Sequence, residues 1–145
     1  MRNKFVIRLM SLIPCILLGL VSYQWFTDPA TTALGFGIDY EAMSSHGQNS
    51  LFRDFTAFFA ASSLFCLFAF FTFRSSWLLA AGLIYLFALG FNDYHVMYLG
   101  GEVQTQLFVE VVLSVWILGT ALLMRSAASS KPCLLYTSPS PRDNR

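Results

Sequence analysis

Four apolar stretches constrain this chain more than anything else in it: residues 9–26, 55–73, 75–92 and 103–124. The first three contain no Asp, Glu, Lys or Arg, and the fourth contains only Glu110. Each is close to the roughly 20 helical residues needed to cross the hydrocarbon core of a bilayer. An isolated strand cannot satisfy its backbone in lipid, so helices are the expected form. Composition agrees: 56% of the residues are hydrophobic and 12% charged, against about 25% charged in an ordinary soluble domain. A soluble fold of 145 residues has a high surface-to-volume ratio and needs charged surface to stay in solution. Lipid is therefore the expected solvent, and the expected fold class is an all-α membrane protein built as a four-transmembrane-helix bundle.

The placement of Lys and Arg predicts orientation. Arg2, Lys4 and Arg8 precede the first span, Arg74 lies between the second and third, and Arg125 and Lys131 follow the fourth. Arg53 alone falls on the other side, with Asp28, Asp39, Glu41, Asp54, Asp93 and Glu102. The positive-inside rule then puts both termini in the cytoplasm of a multi-pass inner-membrane protein. A cleaved signal peptide fits poorly, because Trp25 and Phe26 extend the first apolar run and no small-x-small site follows. Leu12-Ile13-Pro14-Cys15 only faintly resembles a lipoprotein signal, with Pro14 where a small residue is needed. Pro14 is expected to bend the first helix instead.

The longest loop, 27–51, opens with Asp28-Pro29, a helix stop and turn, and contains Gly35 and Gly37 as further breakers. Residues 30–38 are apolar enough to lie on the membrane surface or cap the bundle. The link at Arg74 is a tight turn and predicts an antiparallel hairpin of the second and third spans. Residues 1–130 are read as one membrane domain and 131–145 as a disordered tail. The stretch from Cys133 to Asp143 resembles the translated read-through of a sequencing adapter, so no function is assigned to it.

Membrane helices associate through small residues that permit close approach and polar residues that bond across the interface. One such stripe is expected on each span: Ser11, Cys15, Gly19 and Ser22; Thr56, Ala57, Ala60, Ala61 and Ser63; Ala81, Tyr85, Ala88, Asn92 and His95; Gln106, Glu110, Ser114 and Ala121. The phenylalanines that crowd the second span, Phe55, Phe58 and Phe59 among them, read as packing and lipid-facing groups in preference to a lipid or quinone contact face.

Glu110 is the residue most able to carry chemistry. It is expected about 9 Å below the end of its helix, where a carboxylate must be protonated, paired or in contact with water. Arg53 is the expected partner, in an intramembrane pair that either clamps two helices or forms a proton or ligand site. Asn92, Asp93, His95 and Gln106 form an expected polar cluster at the same end. His46, Asp93, His95 and Glu102 are ligand types for zinc, but Asp93-x-His95 is not a known ligand spacing and no metal site is assigned. Three cysteines without CxxC spacing suggest neither a disulfide framework nor a metal centre. No nucleophile elbow or Gly-rich phosphate loop is present, so neither an enzyme nor a cofactor is indicated. A net charge of +1 gives no case for nucleic-acid binding.

From about Leu9 to Arg125 the chain resembles an uncharacterised bacterial membrane family, domain of unknown function 4345. The likeness is carried by Asp28-Pro29, by Arg53, by the segment AGLIYLFALG at 81–90 and by Val109-Glu110-Val111-Val112. That family often has a basic residue soon after the Gly that ends the third segment; Phe91-Asn92 stands there instead. More distantly, the layout is similar to DoxX-like membrane proteins, some of which associate with redox enzymes. Three expectations follow. The first is a non-enzymatic accessory or interaction subunit, surrounded by lipid and contacting a membrane partner or a second copy of itself. The second is a small proton-coupled transporter using Glu110. The third is a quinone- or redox-linked subunit of the DoxX-like kind, to which Cys15 and Cys66, deep in apolar runs, lend little.

Overall fold

The computed structural model describes residues 3–103 and 106–129, and the side chains of all of these except Gln106. The expected tail, 131–145, lies outside the described residues. Every regular element among them is a helix: α1 (Lys4–Thr27), α2 (Pro29–Gly35), α3 (Ser45–Thr72), α4 (Ser75–Tyr98) and α5 (Gln106–Ser129). α1, α3, α4 and α5 are each long and apolar enough to cross a membrane.

The helices run past the apolar stretches because hydropathy marks the lipid-soluble part of a helix and not its hydrogen-bonded length. α3 begins about ten residues before its apolar run, where Ser44 caps it by accepting from the Gly47 amide at 3.2 Å. The loop before it is stapled down: Gln48 Nε2 donates to the Tyr40 carbonyl at 2.9 Å and the Tyr40 hydroxyl to the Gln48 carbonyl at 3.4 Å. α4 continues past Asn92 to Tyr98 and closes with Gly100 at φ +75° and the Gly101 amide donating to the His95 carbonyl. That left-handed position suits glycine. A Cβ on Gly101 would also run into the His95 imidazole.

Asp28-Pro29 does more than stop a helix. The Asp28 amide donates to the Gln24 carbonyl and closes α1, while its carboxylate accepts from the Thr31 amide at 3.1 Å and opens α2, with Pro29 in the first turn. The short α2 folds back over the end of the bundle, burying Ala33 completely and setting Phe36 against Trp25, Phe55 and Phe59.

The long helices pack side by side in the circular order α1, α3, α4, α5, with α1 on α3 and α4 on α5 the most extensive pairings. The α1 stripe meets α3 as small residues allow. Ser63 Oγ donates to the Cys15 carbonyl at 2.7 Å, Ser22 Oγ donates to the Thr56 carbonyl at 3.0 Å, and Gly19 lies over Ser63. On α3 the buried line is Phe59, Ser62, Cys66 and Ala69, while Ala57 and Ala61 of the expected stripe are exposed. On α4 the buried group is Leu78, Ala81, Gly82 and Tyr85, with Gly82 against Ile117 and Leu118 of α5.

The two ends differ. At the end opposite α2, Trp77 packs against Phe65 and Phe68, and Trp116 Nε1 donates to the Met10 carbonyl at 2.9 Å, so α3 is tied to α4 and α5 to α1. Lys4, Arg8, Arg74 and Arg125 gather there. Many large apolar side chains between the ends are exposed, Phe26, Phe71, Phe87, Val112 and Leu122 among them, as lipid-facing surface requires.

Candidate functional site

Near α2 the helices stand apart and two cavities open. The larger, ≈ 640 Å³, lies between α1, α2 and α5; its walls include Leu17, Val21, Val109 and Leu113, and Gln24, Asp28, Thr31 and Thr32 form a polar rim. The smaller, ≈ 470 Å³, lies towards α3 and α4 and is lined by Phe36, Ile38, Asp54, Phe55, Phe58, Phe59, Ala88, Asn92 and Glu110. Phe36, Phe59 and Glu110 line both cavities, so the carboxylate stands at their junction.

Each wall follows from local structure. Glu110 lies about one helical turn into α5, counted from Gln106. It is half-buried and has no hydrogen-bond or ion-pair partner among the described residues. Phe55, Phe58 and Phe59 come from two successive turns of α3, and Phe58 meets Tyr85 edge-on at 5.2 Å. Tyr85 is 1% exposed and lines the larger cavity with Glu110, and its hydroxyl has no hydrogen-bond partner. Ser62, Cys66 and Glu110 are the polar groups around it. The buried hydroxyls of Ser62 and Ser114 also lack partners. Trp25 Nε1 and Thr56 Oγ1 are unpartnered as well; orphaned polar groups in an interior are costly, and Tyr85 is the one that lines a cavity with Glu110.

The expected Arg53–Glu110 pair is replaced. Arg53 Nε donates to Asp54 Oδ1 at 2.8 Å, and both side chains are well exposed, at 71% and 61%. The physical reason is twofold. α3 and α5 stand across the bundle from each other with little contact, and the neighbouring carboxylate satisfies the guanidinium without taking it out of water. The expected polar cluster also divides. Asn92 is half-buried and lines the smaller cavity, whereas Asp93 and His95 are exposed on α4 and line neither cavity. The Gln106 side chain lies outside the description. Among the described residues no three His, Cys, Asp or Glu side chains come together as a metal group.

Sequence reasoning missed Phe36, Phe55, Phe58 and Phe59 as lining residues, and it placed Tyr85 on an inward stripe without giving it a role. The only available signal was the apolar run 30–38 beside a span rich in phenylalanine, which packing alone also explains. Compared with known protein families, curated proteins and solved structures, the chain matches none.

Proposed function

We propose that this chain is a non-enzymatic accessory protein of the bacterial inner membrane, with both termini in the cytoplasm, that holds a lipophilic small molecule in the cleft around Glu110. One observation carries the reading: the single Asp, Glu, Lys or Arg in the apolar stretches lines both cavities at the end where the helices part. The larger cavity, ≈ 640 Å³, falls within the range of about 300–1,000 Å³ typical of small-molecule sites, with mostly apolar walls and a few polar groups.

Orientation rests on charge. Lys4, Arg8, Arg74 and Arg125 lie at the end opposite α2, and Asp28, Asp39, Glu41, Asp54, Asp93 and Glu102 at the α2 end, which supports a cytoplasmic basic end and an outer acidic one. α1 and α5 are tied by Trp116 and Met10 and flank the larger cavity towards α2. The exposed Leu17 and Val109 on its two sides support entry from the outer leaflet.

Native mass spectrometry of the purified protein tests the reading. Wild type retains one small-molecule or lipid adduct per chain after gentle release from the micelle. Val21→Trp, which fills the larger cavity, loses that adduct while keeping its helical circular dichroism. Wild-type protein that emerges bare, or a variant that keeps the adduct, counts against a binding cleft.

A further inference from the structure

We propose that the cleft takes a lipophilic organic cation, its charge against Glu110 and its carbon skeleton against the faces of Phe36, Phe55, Phe58 and Phe59. This rests on the cleft being a binding site at all, and adds the chemical class of the ligand.

Charge comes first. The residues lining the two cavities include Asp28, Asp54 and Glu110 but no Lys, Arg or His. Asp28 is engaged in capping α2, and Asp54 is paired with Arg53. Glu110 is the carboxylate left to take a counter-ion. A bound anion would face it across a poorly solvated space, and a neutral lipophile would be tolerated only with the carboxyl protonated. A cation answers it.

The aromatic faces point the same way. Four phenylalanines line the smaller cavity around Glu110, and Phe36 and Phe59 continue into the larger one. The rings pack against one another at mixed angles, with Phe36 and Phe59 centred 6.1 Å apart and tilted and Phe58 and Phe59 5.1 Å apart and edge to face, so the lining offers both faces and edges. Ring faces attract cations by about 0.5–2 kcal/mol each, more when water is excluded, and quaternary ammonium groups are bound this way. The buried Tyr85 hydroxyl, unpartnered in the same cavity, is an independent sign of a ligand. It is a donor placed to hold the carboxylate in orientation or to meet an acceptor on the bound molecule. The cation is either a free amphiphile or the ammonium headgroup of a lipid, because both present this chemistry and the gap between α1 and α5 admits an alkyl tail.

Equilibrium dialysis of the full chain in maltoside micelles separates these cases with tetraphenylphosphonium and tetraphenylborate, ions of matched size and opposite charge, and the neutral triphenylphosphine oxide. Saturable phosphonium binding at least tenfold tighter than borate or oxide is the expected result. Glu110→Gln should weaken it tenfold or more and Phe59→Leu several-fold, with Phe87→Leu, on the exposed face of α4, unchanged. Adding phosphatidylcholine, with an equal mole fraction of neutral galactolipid as control, identifies the source. Competition by the choline lipid alone assigns a headgroup, and no competition by either assigns a free cation; both outcomes uphold a cation site. Equal binding of borate or oxide, or full affinity in Glu110→Gln, overturns the cation assignment and leaves the cleft standing. If none of the three probes binds saturably, the cleft reading falls with it. The comparison of opposite ions on wild type holds even if a variant fails to fold.

Discussion

Glu110 and Arg53 stand near the same end of the bundle, yet they are held by different forces. Arg53 is at the surface, where water and Asp54 together stabilise its charge; a pair so exposed contributes little, about 0–1 kcal/mol. Glu110 lines the cleft among phenylalanines with no cation partner among the described residues, so its solvation depends on what enters the cleft. Close approach of backbones is settled residue by residue as well. Gly82 permits α4 to lie on α5, since a Cβ there would collide with the Leu118 side chain, whereas nothing lies within 4 Å of the corresponding position at Gly90. Gly82→Val should therefore destabilise the folded protein by about 1–3 kcal/mol through overpacking. Gly90→Val should cost measurably less, and denaturant titration of the two in mixed micelles checks the order. Equal losses would mean that Gly82 is not a contact glycine.

Among the elements, the turn between α3 and α4 is the most constrained. Phe73 has φ +54°, a left-handed conformation that side chains with a Cβ disfavour. Its ring is covered by Arg8 at 5.4 Å and Lys4 at 5.9 Å, and Arg8 also donates to the Phe71 carbonyl at 3.4 Å. The start of α1 thus fastens the hairpin from a distance in sequence. Phe73→Ala keeps the backbone strain and loses the ring, while Phe73→Gly loses the ring and relieves the strain. Phe73→Gly should accordingly be the more stable by about 1 kcal/mol, read from thermal unfolding in micelles. The reverse order would show that backbone strain at φ +54° does not govern this turn. α2 is the other element with consequences. Too short to be stable alone, it is held by the Asp28 cap and by burial of Ala33 and Phe36, and so delivers Phe36 to the wall between the cavities.

The whole molecule is asymmetric along its long axis, with Trp77 and Trp116 joining the helices at one end and two cavities separating them at the other. Interhelical packing in lipid lacks the hydrophobic drive available in water and depends on close contact and hydrogen bonds. The helices stand apart around two cavities at the α2 end. The proposed topology places that end outside. On a cysteine-free background, Asn49→Cys should react with a membrane-impermeant maleimide added to intact cells, and Ser76→Cys only after permeabilisation. Both positions are exposed on the structure. Labelling of both from the same side is incompatible with an odd number of crossings between them.

Helical class, the number of long apolar helices and the segregation of charge were all present in the sequence, because the cost of placing charge or unpaired backbone in hydrocarbon acts on each segment separately. The Ser11–Cys15–Gly19–Ser22 stripe was readable for the same kind of reason, as small residues at helical spacing need no knowledge of the partner. The site was not. Whether Glu110 meets Arg53 depends on which helices are neighbours and which are diagonal, and helical period carries no such information. Whether Phe36, Phe55, Phe58 and Phe59 fill a core or line a cleft depends on how far α4 and α5 stand from α1 and α3 at one end. That separation is a property of the assembled bundle, and only the tertiary structure decides it.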